Sequence, residues 1–316
     1  MIPMEAVKDA EKRIRGFIRE TYLEPSPCLS DIAGTDIHLK LENLQHTGSF
    51  KLRGALNKIL KIGELAATTR VIAASSGNHG AAVAYALKQI GGSGLVFVPE
   101  GASELKVATI RRFGAEVRFH GRDTTETEAE ARAFAERSGG LYVSPYNDAD
   151  VVAGQGTIGI EIIRQLPNVR SILVSVGGGG LIAGIATYIK AVAPHVEIIG
   201  CSPENSRAMA ASVVAGRVID VEHKPTLSDG TAGGLEPDTM TFEPCRRLVD
   251  HWIDVSEADI AHAMKLFLDH HRMVAEGAAG VAIAAACKAD RQRIPGPAVV
   301  IICGGNAGTS ILKGIL

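Results

Sequence analysis

The sequence predicts an α/β protein built on open, twisted, mostly parallel sheets covered by helices. Three observations lead there. From about residue 70, runs of five or six residues rich in Val and Ile alternate with amphipathic stretches of helical period. Short apolar strands that each feed a helix describe parallel sheets buried on both faces. Aromatics are only 4% of the 316 residues against 46% hydrophobic, so Ala, Val, Ile and Leu must fill the core. The 35 glycines are too many for an all-helical chain and have no collagen-like period. A chain of this length holds two domains, or one large α/β unit with an insertion.

In chain order, the expected strands are 71–75, 94–99, 116–120, 141–144, 171–176, 197–201 and 298–303. Helices are expected over 80–90, 104–113, 126–137, 156–166 and 181–193, where apolar residues recur every three to four positions. Ser256-Glu257-Ala258-Asp259 resembles a capping box and opens a helix with Ile260, Met264, Phe267 and Leu268 on its apolar face. His270 and His271 close that helix, where cations suit the dipole. The stretch 220–242 is the longest without a period, and no repeat or low-complexity tract interrupts the chain.

Composition excludes several function classes. A formal charge of −2, with both signs mixed along the chain, suits neither a nucleic-acid nor an anionic-membrane partner. No apolar run reaches the roughly 18 residues of a membrane span, and the N-terminus has no basic-then-apolar signal pattern. Five cysteines, an odd number without a C-x-x-C pair, read as reduced thiols in a cytoplasmic protein. No H-E-x-x-H or Cys/His spacing suggests a metal.

Open α/β sheets bind ligands at the carboxyl ends of their strands, and three loops there stand out. Ser75-Ser76-Gly77-Asn78-His79-Gly80 offers hydroxyls, an amide and helix-terminal N–H groups to a carboxylate or phosphate, or is a plain helix cap. In it, His79 is either a packed helix residue or a catalytic one. Gly177-Gly178-Gly179-Gly180-Leu181 lets an anion reach several backbone N–H groups; tight packing explains one or two such glycines, hardly four. Cys303-Gly304-Gly305-Asn306 puts a thiol at a strand end, where it is an ordinary buried cysteine or touches a ligand ring. A fourth feature lies upstream: Lys51, beside Phe50 and behind Thr47-Gly48-Ser49, starts a predicted helix. Such a lysine is a solvated surface group unless burial lowers its pKa, and then it can form a Schiff base.

A rival reading takes Gly178, Gly180 and Gly184 as a loose dinucleotide fingerprint with Glu204 as the ribose acid, giving an NAD-dependent oxidoreductase. It leaves Lys51 and the Ser75 loop without a role. A Schiff-base lysine, a phosphate cradle and a carboxylate loop together are what pyridoxal phosphate and an amino acid require.

On these motifs the chain resembles the fold-type II pyridoxal-phosphate enzymes, closest to serine/threonine dehydratases (ammonia-lyases) and serine racemase. The resemblance runs through residues 48–54, 75–80, Ala153-Gly154-Gln155-Gly156-Thr157, 177–181, Glu276-Gly277-Ala278 and 303–306. It implies two domains with pyridoxal 5'-phosphate in the cleft: a larger one of residues 1–66 and 148–316, and an inserted one of 67–147. It further implies that Lys51 carries the cofactor and removes the substrate Cα proton, with Phe50 packed alongside. Asn78 would bond the 3-oxygen, and Gly177, Gly178, Gly179, Gly180 and Leu181 the phosphate. Ser75, Ser76, Gly77 and His79 would face the substrate carboxylate, Ser76 also matching the racemase acid/base on the opposite face. Glu276 would lie near the ring. Tyr146, Gln155 and residues 231–235 would line the side-chain pocket.

Two departures matter. Cys303 stands where the family has a serine facing the pyridine nitrogen; a neutral partner favours β-elimination over long-lived carbanion chemistry. Ser202 and Ala208 stand where metal-binding relatives carry acids, so no divalent cation is expected. The chain stops soon after Asn306, where biosynthetic threonine dehydratases continue into a regulatory domain, so isoleucine feedback is not expected. The reaction implied is loss of water from a β-hydroxy-L-amino acid, serine or threonine by default, giving a 2-oxo acid and ammonia. Phenylserine or hydroxyaspartate as substrate, racemase chemistry, and a non-catalytic amino-acid-binding protein are the alternatives. A homodimer is expected.

Overall fold

The computed structural model describes residues 1–63, 65, 69–288 and 294–316. Its ten strands form two sheets. The smaller holds β3 (Val71–Ala74), β4 (Gly94–Val98), β5 (Glu116–Phe119) and β6 (Leu141–Tyr142), all parallel, in the order β5-β4-β3-β6. The larger holds β1 (Leu23–Pro25), β2 (Ile37–Lys40), β7 (Ser171–Ser175), β8 (Glu197–Pro203), β9 (His251–Val255) and β10 (Ala298–Ile301), in the order β1-β2-β10-β7-β8-β9. Only β1 runs antiparallel to its neighbour.

The helices, in chain order, are α1 (Met4–Ile14), α2 (Pro27–Ala33), α3 (Lys51–Ile62), α4 (Asn78–Ile90), α5 (Glu104–Arg112), α6 (Thr124–Ser138) and α7 (Ala149–Gln165). They continue with α8 (Gly180–Val192), α9 (Ala208–Ala215), α10 (Phe242–Leu248), α11 (Glu257–His271), α12 (Gly277–Lys288) and α13 (Thr309–Ile315). All seven expected strands form. The sequence reading misses β1, β2 and β9, because Ile37–Lys40 and His251–Val255 alternate apolar with polar residues instead of forming an apolar run. The capping box at Ser256 is present, its hydroxyl accepting from Asp259 N (3.2 Å) while the Asp259 carboxylate accepts from Ser256 N (2.9 Å).

Helix α7 begins seven residues before its expected start. Asp148 caps it, accepting from Asp150 N at 2.8 Å and Val151 N at 3.1 Å. Its three glycines cost helix propensity, but two of them, Gly154 and Gly156, let neighbours approach. A Cβ on Gly154 would lie 2.5 Å from the Arg53 carbonyl oxygen in α3, and one on Gly156 would lie 2.7 Å from the Gly184 oxygen in α8. Thus α7 clamps together the helix that starts at Lys51 and the helix that starts at Gly180.

The expected boundary between residues 66 and 67 lies outside the described residues. Among the described residues no helix is long and apolar enough to cross a membrane.

Candidate active site

Lys51 opens α3 behind a turn that the last strand holds in place. Gly48 sits at φ +74°, where a Cβ would strain the backbone and lie 2.5 Å from Asn306 Oδ1. Phe50 N donates to the Cys303 carbonyl (3.0 Å) and Gly305 N to the Gly48 carbonyl (2.9 Å). Ser49 and Gly304 form an isolated antiparallel bridge. The end of β10 and the start of α3 are thereby zipped together. The Lys51 Nζ donates to the Pro145 carbonyl at 2.9 Å and lies 5.2 Å from the centre of the Phe50 ring. No carboxylate of the described residues forms an ion pair with it. Burial therefore pulls its pKa down to about 8, against an upward pull from Cys303, Glu128 and Glu276.

Arg53, two residues along the same helix, is treated differently. Its Nη2 lies 2.8 Å from Glu42 Oε1 and its Nη1 2.8 Å from Glu161 Oε1; Glu161 also pairs with Lys40 at 2.6 Å. All four side chains are wholly buried, and Arg53 is held above its ordinary pKa by the two carboxylates.

The loop from β3 to α4 carries Ser75 to Gly80. Ser75 Oγ accepts from Gly77 N (3.1 Å), and the first N–H groups of α4 have no intrahelical acceptor. The His79 ring is not part of this surface. It is buried, with Nε2 at 2.8 Å from the Val143 carbonyl, and so carries its proton there. Burial, and then Lys51, push its pKa down to about 3. With its ring engaged at Val143, the donor that His79 has for an anion is its backbone N–H.

Asn78 donates to both carboxylate oxygens of Glu276 (2.8 and 3.0 Å), and Asn306 donates to Asn78 Oδ1 (2.7 Å). Asn306 N also donates to Glu276 Oε2 at 3.2 Å. Glu276 is buried and its pKa is raised by that burial, with Asn78 pulling back. Cys303 is buried beside this cluster, and burial pushes its thiol well above the ordinary value.

The four-glycine loop is a packing joint as well as an anion site. Cβ atoms would lie 2.8 Å from Thr231 Cα at Gly177, 2.5 Å from the Tyr146 ring at Gly178, and 3.0 Å from Tyr146 Cα at Gly180. Gly179 has φ +83°. Packing and backbone angle therefore account for all four, where sequence reasoning allowed one or two. The N–H groups of Gly177, Gly178 and Gly179 find no acceptor among the described residues, and those of Gly180, Leu181 and Ile182 open α8. Gln155, expected to line the side-chain pocket, is buried, and its Nε2 has no partner among the described residues. It sits in the α3–α7 joint with Oε1 accepting from Gly54 N at 3.2 Å, where α7 meets α3 over Gly54 and Gly154. Tyr146 and Thr231 cover the glycine loop.

The model of the family described as pyridoxal-phosphate dependent enzyme matches residues 14–304. The chain belongs to that family. It is similar to the L-threonine ammonia-lyase of Thermotoga maritima, at 40% identity over all of this chain and 78% of that protein. The structure of maize serine racemase superposes with a TM-score of 0.93 at 29% identity, covering 99% of this chain and 96% of that one. The processed form of threonine deaminase isoform 2 from Solanum lycopersicum gives 0.92 at 33% identity, covering 98% and 86%.

The family's cofactor, pyridoxal phosphate, fits the residues present. Unbonded N–H groups in a glycine loop suit its phosphate, and a buried lysine with no counter-ion suits its aldehyde. The dinucleotide reading gives no role to Lys51 on the Pro145 carbonyl, and the family match replaces it. Ser202 is buried with its hydroxyl unpartnered among the described residues, and Ala208 starts α9. No group of three metal-ligating side chains occurs among the described residues. Residues that sequence reasoning missed are Pro145, whose carbonyl holds Lys51, and Glu128 of α6, which bears on Lys51 electrostatically. A backbone carbonyl leaves no sequence signal, and a glutamate in an exposed-looking helix leaves little.

Proposed function

We propose that the protein is a pyridoxal-phosphate dependent ammonia-lyase that removes water from a β-hydroxy-L-amino acid of the serine/threonine type. The observation that carries this is Lys51, a lysine on the Pro145 carbonyl without a carboxylate ion pair among the described residues, its pKa drawn by burial to about 8. Bound pyridoxal phosphate supplies the aldehyde that captures the amino group and the ring that acidifies the Cα–H bond. Lys51 Nζ, held on the Pro145 carbonyl, is the base that takes the Cα proton. Gly177 to Gly180 and Leu181 hold the phosphate, Phe50 packs beside the ring, and Asn78 with Glu276 fixes its oxygen edge. Ser75, Ser76, Gly77 and the His79 backbone N–H receive the substrate carboxylate. Ser76 makes no hydrogen bond here, so its hydroxyl is the group free to move a proton on the other face. Cys303 would face the ring nitrogen.

Atoms balance simply: the Cα proton and the β-hydroxyl leave as water, and hydrolysis of the released enamine yields a 2-oxo acid and ammonia. The separate sheets support an inserted domain of 67–147 within 1–66 and 148–316. The five unpaired cysteines support a cytoplasmic protein, and a homodimer is the proposed assembly. The test is turnover of L-serine and L-threonine, read as 2-oxo acid and ammonia in equal amounts. Racemisation without 2-oxo acid would replace this reading with the racemase one.

A further inference from the structure

Helix α6 carries Glu128 and Arg132 one turn apart on the same face, and the Glu128 charge bears on Lys51. Arg132 is fully engaged: its Nη2 lies 2.7 Å from Glu236 Oε1, and its guanidinium carbon sits 4.3 Å over the Tyr142 ring. Glu236 is satisfied too, accepting from Asn147 Nδ2 at 2.9 Å while its N–H donates to the Tyr146 hydroxyl at 3.0 Å. Glu128 has no hydrogen bond or ion pair among the described residues. The Tyr142 hydroxyl beside it is buried and also has no partner. Glu128 is drawn only by the fields of Arg132 and Lys51, and burial raises its pKa.

A carboxylate left unmatched in a half-buried wall is costly unless something pairs with it. Arg132 is already paired with Glu236, and the Lys51 amine is the group the cofactor would take up. The methyl group of threonine offers nothing to Glu128 or to Tyr142. Resting on the ammonia-lyase reading, we propose that Glu128 selects substrates whose side chain carries an ammonium beyond the β-hydroxyl, that is, β-hydroxy diamino acids. The ammonium would supply the counter-charge, with the Tyr142 oxygen as a second acceptor. The elimination itself is unchanged, with water leaving from Cα and Cβ.

The test uses the holoenzyme and two ligands that cannot lose water, 2-aminobutyrate and 2,4-diaminobutyrate, which differ only in the γ-ammonium. Binding is followed by the cofactor's visible spectrum. Wild type should bind the diamino acid at least ~10-fold more tightly, and Glu128→Gln should erase that preference. In turnover, the ratio of kcat/KM for 2,4-diamino-3-hydroxybutyrate over threonine should fall by a similar factor in Glu128→Gln. It should fall further in Glu128→Lys, with β-hydroxyaspartate gaining. Equal binding of the two ligands by wild type, or an unchanged ratio in Glu128→Gln, overturns the proposal. An enzyme that turns over threonine and ignores the diamino substrate overturns it while leaving the ammonia-lyase reading intact. A yellow enzyme that releases 2-oxo acid from none of the substrates overturns both.

Discussion

Helix α3 carries two cations two residues apart, Arg53 wholly buried and Lys51 partly so, and the protein handles them in opposite ways. Arg53 meets Glu42 and Glu161 at 2.8 Å each and keeps its charge. Lys51 meets only the Pro145 carbonyl, and burial draws its pKa to about 8. Burial alone does not set the outcome; the partner set does. A fully paired cation is structural and inert, whereas an unpaired lysine is a base within reach of neutral pH. Lys40 lies between the two, because burial draws its pKa below the ordinary lysine value in spite of a carboxylate partner. It is also wholly buried, but Glu161 lies 2.6 Å away and Thr21 and Gln165 accept its remaining protons.

The largest expected effect comes from removing the unpaired partner of this comparison. Lys51→Ala should lower 2-oxo acid release by at least ~10³-fold while leaving the thermal midpoint of the cofactor-free protein close to wild type. Next comes the paired cation. Arg53→Met leaves Glu42 and Glu161 without their main counter-charge, which should cost about 3–5 kcal/mol by denaturant unfolding. If Arg53→Met were as stable as wild type, the quartet would not be what anchors α3.

A smaller effect is expected in the glycine loop. Gly178→Ala would push a methyl into the Tyr146 ring, which the Glu236 N–H holds by its hydroxyl. Cofactor affinity should weaken by about 1–3 kcal/mol, measured by equilibrium titration, and Tyr146→Ala in the same chain should recover part of it. The smallest effect belongs to Cys303→Ser, where both side chains are small and neutral; elimination should stay within about threefold of wild type. Cys303→Asp would instead divert flux to Cα proton exchange, and an unchanged product ratio there would show that Cys303 does not face the ring nitrogen.

How much of this could be read from sequence follows physical lines. Strands β3, β4 and β7 were legible because a strand buried on both faces is apolar throughout, whereas β5 is exposed at both ends and was placed by the alternation of strands with helices. Strands β2 and β9 were not, because their polar residues are satisfied by partners distant in sequence, as Lys40 is by Glu161. Lys51, Asn78 and the glycine loop were legible as motifs. The reasons for two motif residues were not: Gln155 bonds Gly54 across a helix joint, and the His79 ring turns to Val143. Glu128 was invisible because its significance is a missing partner, and only coordinates show one.

The central claim is that Lys51 is a low-pKa amine because it lacks the carboxylates Arg53 has. Competitive acetylation of the cofactor-free protein across pH, mapped lysine by lysine by mass spectrometry, tests it most directly. Below the pKa the amine is protonated and unreactive, and labelling rises as the proton leaves. Lys51 should reach half its maximal rate near pH 8, and adding pyridoxal phosphate first should protect it. Labelling of Lys51 that rises only near the ordinary lysine value of 10.5, or that pyridoxal phosphate leaves untouched, would contradict the account.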